Sequence, residues 1–125
     1  MISDVKNCGF LTTHVLDTAR GCPAEGIQIA LSRVSADRTF VNLGSGETNN
    51  DGRLPSPILS GTDFCEGTYQ LSFFVDEYLR FHFRDQGKNN FLVEIPIRFK
   101  ITKPMEHYHV PLLLSPFGYS TYRGS

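Results

Sequence analysis

Phe91-Leu92-Val93-Glu94-Ile95-Pro96-Ile97-Arg98-Phe99-Lys100-Ile101-Thr102 carries an apolar side chain at every second position from Phe91 to Ile101. Side chains of an extended chain alternate between faces, so six apolar residues at period two describe a strand with one buried face. Pro96, on the other face, has no N–H to offer a neighbour, which predicts an edge strand or a bulge there. Lys103-Pro104 breaks the run.

The segments upstream repeat this pattern. Phe10-Leu11-Thr12-Thr13-His14-Val15-Leu16-Asp17 reads as a first strand, rich in β-branched and aromatic residues, and ends at the Gly21-Cys22-Pro23 turn. Ile27, Ile29 and Leu31 alternate with polar or small residues as a half-buried strand. Thr39-Phe40-Val41-Asn42-Leu43 is a shorter third strand, and Tyr69-Gln70-Leu71-Ser72-Phe73 another, closed by Phe74-Val75. Asp76 is placed to cap a short helix through Glu77-Tyr78-Leu79-Arg80-Phe81-His82-Phe83, although Leu79, Phe81 and Phe83 also alternate as a strand would. A polar loop follows at 84–90. Seven or eight short strands with at most one short helix describe an all-β, two-sheet sandwich.

Downstream, His107-Tyr108-His109-Val110-Pro111-Leu112-Leu113-Leu114 puts two imidazoles on one face of a strand. Positions 110–114 are apolar almost throughout, the signature of a strand covered on both faces. A small domain has one core, so a second subunit is expected to supply the other cover. The tail beyond, with Ser120, Tyr122 and Arg123, is unusually dense in polar and aromatic groups and is expected to be held down rather than frayed.

At 125 residues the chain, 1–125, reads as a single domain. With 12 basic and 13 acidic residues, and no basic cluster, it has no footprint for nucleic acid. No apolar run approaches a membrane span, and the first residues lack the order of a secretion signal, so a cytosolic chain with no membrane contact is expected. Cys8, Cys22 and Cys65 fit no zinc spacing and read as reduced, structural thiols.

Three histidines carry the candidate chemistry. His14 lies mid-strand, and on rigid strands it can converge with His107, His109 and Arg53 on one pocket. Asp51-Gly52 is a tight-turn signal, and Arg53 leaves that turn at a defined place suited to a bidentate grip on ligand oxygens. His-x-His with His14 as a third ligand is also a metal pattern, but no acidic or cysteine partner accompanies it. General acid and base work needs no metal, because imidazole titrates near neutral pH. His82, between two Phe residues, is assigned no role.

Leu11-Thr12-Thr13-His14-Val15-Leu16-Asp17, Asp51-Gly52-Arg53, the His107-to-Leu113 segment and the terminal Tyr122-Arg123-Gly124-Ser125 together resemble the transthyretin-like family of 5-hydroxyisourate hydrolases. The four motifs occur in the family's order and span nearly the whole chain. The resemblance implies a transthyretin fold of two four-stranded sheets and one short helix, assembled as a homotetramer with active sites in a channel between subunits. It implies hydrolysis of 5-hydroxyisourate in urate breakdown, with no cofactor or metal. His109 and His14 would orient and deprotonate water, Arg53 would hold the substrate and stabilise developing negative charge, and Ser120 and Tyr122 would complete the substrate wall. His107 is then a neighbour of the site. Phe117-Gly118 and the loops at 35–46 and 84–90 depart from the family pattern. Peroxisomal relatives carry a targeting signal, and none is read in the Arg-Gly-Ser end, so a cytoplasmic location is expected with the peroxisome as the alternative. A non-enzymatic carrier like transthyretin, or an interaction sandwich without a pocket, is the alternative that fold alone leaves open.

Overall fold

Alternating polarity sets the first strand, β1 (Phe10–Asp17), with Leu11, Thr13, Val15 and Asp17 buried and Phe10, Thr12, His14 and Leu16 half-buried. This is a computed structural model, and it describes residues 9–83 and 90–124. After β1 come β2 (Cys22–Pro23), β3 (Gln28–Val34), β4 (Phe40–Glu47), β5 (Leu59–Ser60), β6 (Gly67–Phe74), helix α1 (Asp76–His82), β7 (Glu94–Ile101), β8 (His107–Ser115) and β9 (Gly118–Thr121). One sheet runs β4-β3-β6-β7. The other runs β2-β1-β8-β9, with β5 also paired to β1.

Inward residues of both sheets meet in one core that includes Leu11, Val15, Ile29, Leu31, Leu71, Phe73, Ile95, Leu112 and Leu114. Each such side chain contributes roughly 1.5–3 kcal/mol by leaving water. The helix is pinned to the core by Tyr78 and Leu79, both buried. Tyr78 Oη donates to Asp17 Oδ2 at 2.6 Å, and Arg20 Nη1 donates to Tyr78 Oη at 3.1 Å. Burial, and then the Asp17 carboxylate, raises the Tyr78 pKa, so the phenol stays a donor.

Several expectations are corrected in detail. The strand expected over 91–102 begins at Glu94, because its partner β6 ends opposite, at Phe74↔Glu94. Phe91 and Val93 continue the alternation but have no ladder, and both are exposed. Pro96 does lie on an edge strand, opposite Ser72. The short third strand continues to Glu47: Leu31 pairs Gly44 and Ser32 pairs Asn42, leaving Leu43 as a bulge. An added Cβ at Gly46 would stand 3.0 Å from Leu54 Cδ2, so glycine there lets the 54–58 segment pass close. Asp76 is not the cap. Val75 precedes the first helical turn, and the Asp76 carboxylate is held within it by Arg80 and by Asn90 Nδ2 at 3.0 Å. The segment after β6 is a helix rather than a continuing strand. Cys8, Ser125 and loop residues 84–89 lie outside the described residues. No helix among the described residues is long and apolar enough to cross a membrane.

Candidate active site

The site begins with a strand pairing that sequence order does not suggest. β1 and β8 are parallel neighbours over eight pairs, from Phe10↔His107 through Thr12↔His109 and His14↔Pro111 to Asp17↔Leu114. Facing partners in a ladder share a side, so Phe10, Thr12 and His14 stand beside His107 and His109 on the face turned from the core. The same-face placement expected for His107 and His109 holds, and His14 joins them. The His14 and His109 ring centroids are 6.2 Å apart, those of His107 and His109 6.1 Å. Phe10 stacks on His107 at 4.2 Å and 19°. Thr12 Oγ1 lies 2.7 Å from His107 Nε2 and 2.7 Å from His109 Nδ1.

Arg53 reaches this face through its turn. Asn49 Oδ1 accepts the N–H groups of Asp51 and Arg53, and the Gly52 N–H donates to the Asn49 carbonyl at 2.9 Å. Gly52 has φ +74°, and an added Cβ would sit 2.4 Å from the Val15 carbonyl oxygen. Only glycine permits that approach. It lets the Gly52 carbonyl take the Val15 N–H at 2.9 Å, and Arg53 then bridges to His14 as an antiparallel pair. The arginine therefore lies on the edge of β1 opposite β8, between the β5 and β2 pairings, beside a cleft of about 290 Å³ bordered by Phe10, Thr12, Arg53 and Leu54. A larger cleft of about 460 Å³, beside Arg20, Tyr78 and His82, contains none of these groups and lies at the helix. The smaller one carries Arg53 and Thr12 and adjoins the face that bears His14 and His109, whose side chains are not among its walls.

The tail closes the other side. Gly124 N–H donates to the His109 carbonyl at 2.7 Å, and a Cβ on Gly124 would stand 2.7 Å from His109 Cδ2. The Arg123 guanidinium lies 4.0 Å above the Tyr108 ring and donates to Glu106 Oε1 at 2.9 Å. Tyr108 Oη in turn accepts the N–H groups of Thr102 and Lys103. The tail is held, as expected. Ser120 pairs with Leu113 in β9, and both Ser120 and Tyr122 are exposed. Within one chain, no hydrogen bond among the described residues joins either side chain to His14, Arg53 or His109.

Desolvation lowers the His14 pKa, and the charge of Arg53 lowers it further. Desolvation also lowers that of His109, followed by Arg53, His14 and His107. Both shifts favour the neutral imidazole, the form that accepts a proton. Among the described residues, no group of three or more His, Cys, Asp or Glu side chains is placed to hold a metal ion. Such a site can bind a planar, oxygen-rich ligand, take a proton from water and offset negative charge.

Thr12 was within reach of sequence reasoning, being two residues from His14 and therefore on its face, yet its role depends on β8 lying alongside. Cys65 is a similar case. No cation neighbours it in sequence, but the fold brings Tyr69 Oη and Arg33 Nη2 to its sulfur, which lower the thiol pKa in that order.

Comparison with known proteins identifies the family and the fold. Residues 11–124 match the family described as HIUase/Transthyretin. The chain is 49% identical over 121 residues to "5-hydroxyisourate hydrolase 2" of Rhizobium meliloti (strain 1021), covering 97% of this chain and 100% of that protein. Among solved structures, (S)-allantoin synthase superposes with TM-score 0.83 at 48% identity, covering 94% of this chain and 44% of that one, so this chain spans under half its length. Transthyretin from Sparus aurata superposes with TM-score 0.78 at 27% identity over 91% and 95%. A match to the family over nearly every described residue, carried on the same sandwich, leaves one conclusion: the chain belongs to the HIUase/transthyretin family.

Proposed function

We propose that the chain is a 5-hydroxyisourate hydrolase, opening the substrate's six-membered ring at an amide to give 2-oxo-4-hydroxy-4-carboxy-5-ureidoimidazoline. The observation that carries this reading is two imidazoles, His14 and His109, 6.2 Å apart on one face of paired strands, with Arg53 bridged through its backbone to His14. His109 takes a proton from water, and the resulting hydroxide adds to the amide carbonyl. Arg53 holds the substrate and offsets the charge that grows on the carbonyl oxygen. As the carbon–nitrogen bond breaks, the His109 imidazolium returns its proton to the departing nitrogen. His14 orients the water. Every proton is accounted for within the site, and no cofactor is required.

Ser120 and Tyr122 complete the substrate wall in this reading, from their exposed flank beside β8. The site is an open face in one chain, whereas a ring-shaped substrate is bound best when enclosed. A second subunit facing β1 and β8 would enclose it, and the assembly we propose is a homotetramer. Exposed Phe117, Tyr119 and Tyr122 beside the face favour such burial. The unpaired thiols of Cys22 and Cys65 suit the reducing cytosol.

The test is the ultraviolet decay of 5-hydroxyisourate made freshly from urate by urate oxidase. Wild type should accelerate it, and His109→Ala should lower turnover by about two to four orders of magnitude. A folded wild type without effect would favour a carrier instead.

A further inference from the structure

We infer that Thr12, backed by His107, is a positioning residue that sets the tautomer of His109 and leaves its Nε2 as the nitrogen that accepts a proton. This rests on the reading of His109 as the base. A threonine hydroxyl has one proton to give and two lone pairs to offer. Here it stands 2.7 Å from two imidazole nitrogens, His107 Nε2 and His109 Nδ1, and can donate to only one of them. A neutral imidazole carries one N–H and one bare nitrogen. If the hydroxyl donates to His107 Nε2, its lone pairs face His109 Nδ1, which must then hold the proton, and His109 Nε2 is bare.

The reverse order also satisfies both hydrogen bonds, but it places the His109 proton on Nε2 and leaves that ring with no nitrogen free to take one from water. A base at position 109 therefore requires His107 to be the acceptor. The surroundings favour a fixed arrangement. Phe10 stacks on the His107 ring, the His109 carbonyl is held by Gly124, and Gly124 leaves no room for the His109 ring to swing toward it. The pattern of base, hydroxyl and second imidazole does for His109 what a third group does in any nucleophile–base–orienter set: it decides which nitrogen faces the reaction.

The experiment uses full-length protein with nitrogen-15-labelled histidine, whose long-range proton–nitrogen spectra report the protonation of each ring nitrogen at neutral pH. Wild type and Thr12→Ser should show His109 protonated at Nδ1. Thr12→Val removes the hydroxyl, and His107→Leu removes its acceptor, so both should move population to the Nε2–H form. In parallel, kcat should fall about ten- to hundredfold in Thr12→Val and His107→Leu, with KM within about twofold, and Thr12→Ser should restore most of it. A wild-type spectrum with the proton on Nε2, or an unchanged His109 tautomer in both Thr12→Val and His107→Leu, overturns the inference. A tautomer that shifts as expected with kcat unchanged upholds the lock and removes His109 as the base. Spectral dispersion in each variant reports folding, and His107 lies on the half-exposed face, where leucine creates no cavity in the core.

Discussion

At the scale of single residues, the surroundings of His14 and His109 determine the pH at which they work. Partial burial and then the Arg53 guanidinium lower both pKa values below 6.5, so the proton-accepting forms persist into mildly acid solution. The acid limb of kcat/KM should accordingly fall below pH 6.5 in the wild type. Arg53→Gln removes the second cause of both shifts, so the limb should move up toward 6.5 while the plateau drops by roughly 10² to 10³ for the lost charge stabilisation. A pH–rate profile of both proteins reads the two effects together, and an unmoved limb would detach Arg53 from the histidines. Gly124 is a second test at this scale. Alanine there puts a methyl 2.7 Å from His109 Cδ2, and the ring, not a flexible side-chain tip, must give way. Gly124→Ala should lower kcat severalfold or more, with the melting temperature nearly unchanged because the tail is peripheral.

At the scale of elements, the site is a property of β1, β8 and one turn. Alternation in β1 selects which side chains face outward, and the parallel register with β8 decides which of them meet. The turn at 49–53 adds Arg53 to the edge of β1 opposite β8, between β5 and β2. Its weak point is Gly52, where a side chain meets both a positive φ and the Val15 carbonyl. Gly52→Ala should cost more than about 1 kcal/mol of stability and displace Arg53. Urea unfolding and steady-state kinetics should both register it, and a fully active, equally stable variant would contradict this account of the turn. Element identity was legible from period two, while boundaries were not. Phe91 and Val93 alternate as well as Ile95 and Ile97 do, yet only residues opposite β6 join the ladder. Asp76 looks like a cap by type, but the chain enters the helix one residue earlier.

At the scale of the whole molecule, the sandwich uses one face of each sheet for its core and leaves the histidine-bearing face of β1 and β8 turned away from it. Pro111 is nevertheless buried and Leu113 half-buried beside it. A second subunit over this face is the assembly proposed above, and sedimentation equilibrium at micromolar concentration should give about four chains per particle. A monomer that retains full activity would sink it.

The sequence by itself determined that this is an all-β sandwich and which faces of its strands turn inward, and it singled out His14, Arg53 and His109 as the candidates for the proposed chemistry, because period-two alternation, turn glycines and local motifs are short-range properties. Tertiary structure alone decided that His14 and His109 lie 6.2 Å apart, that Thr12 joins His107 to His109 across 95 and 97 positions, and that Arg33 reaches Cys65. Each of these follows from a pairing between distant strands. Such a pairing is set by how the whole core packs, and no local window of sequence contains it.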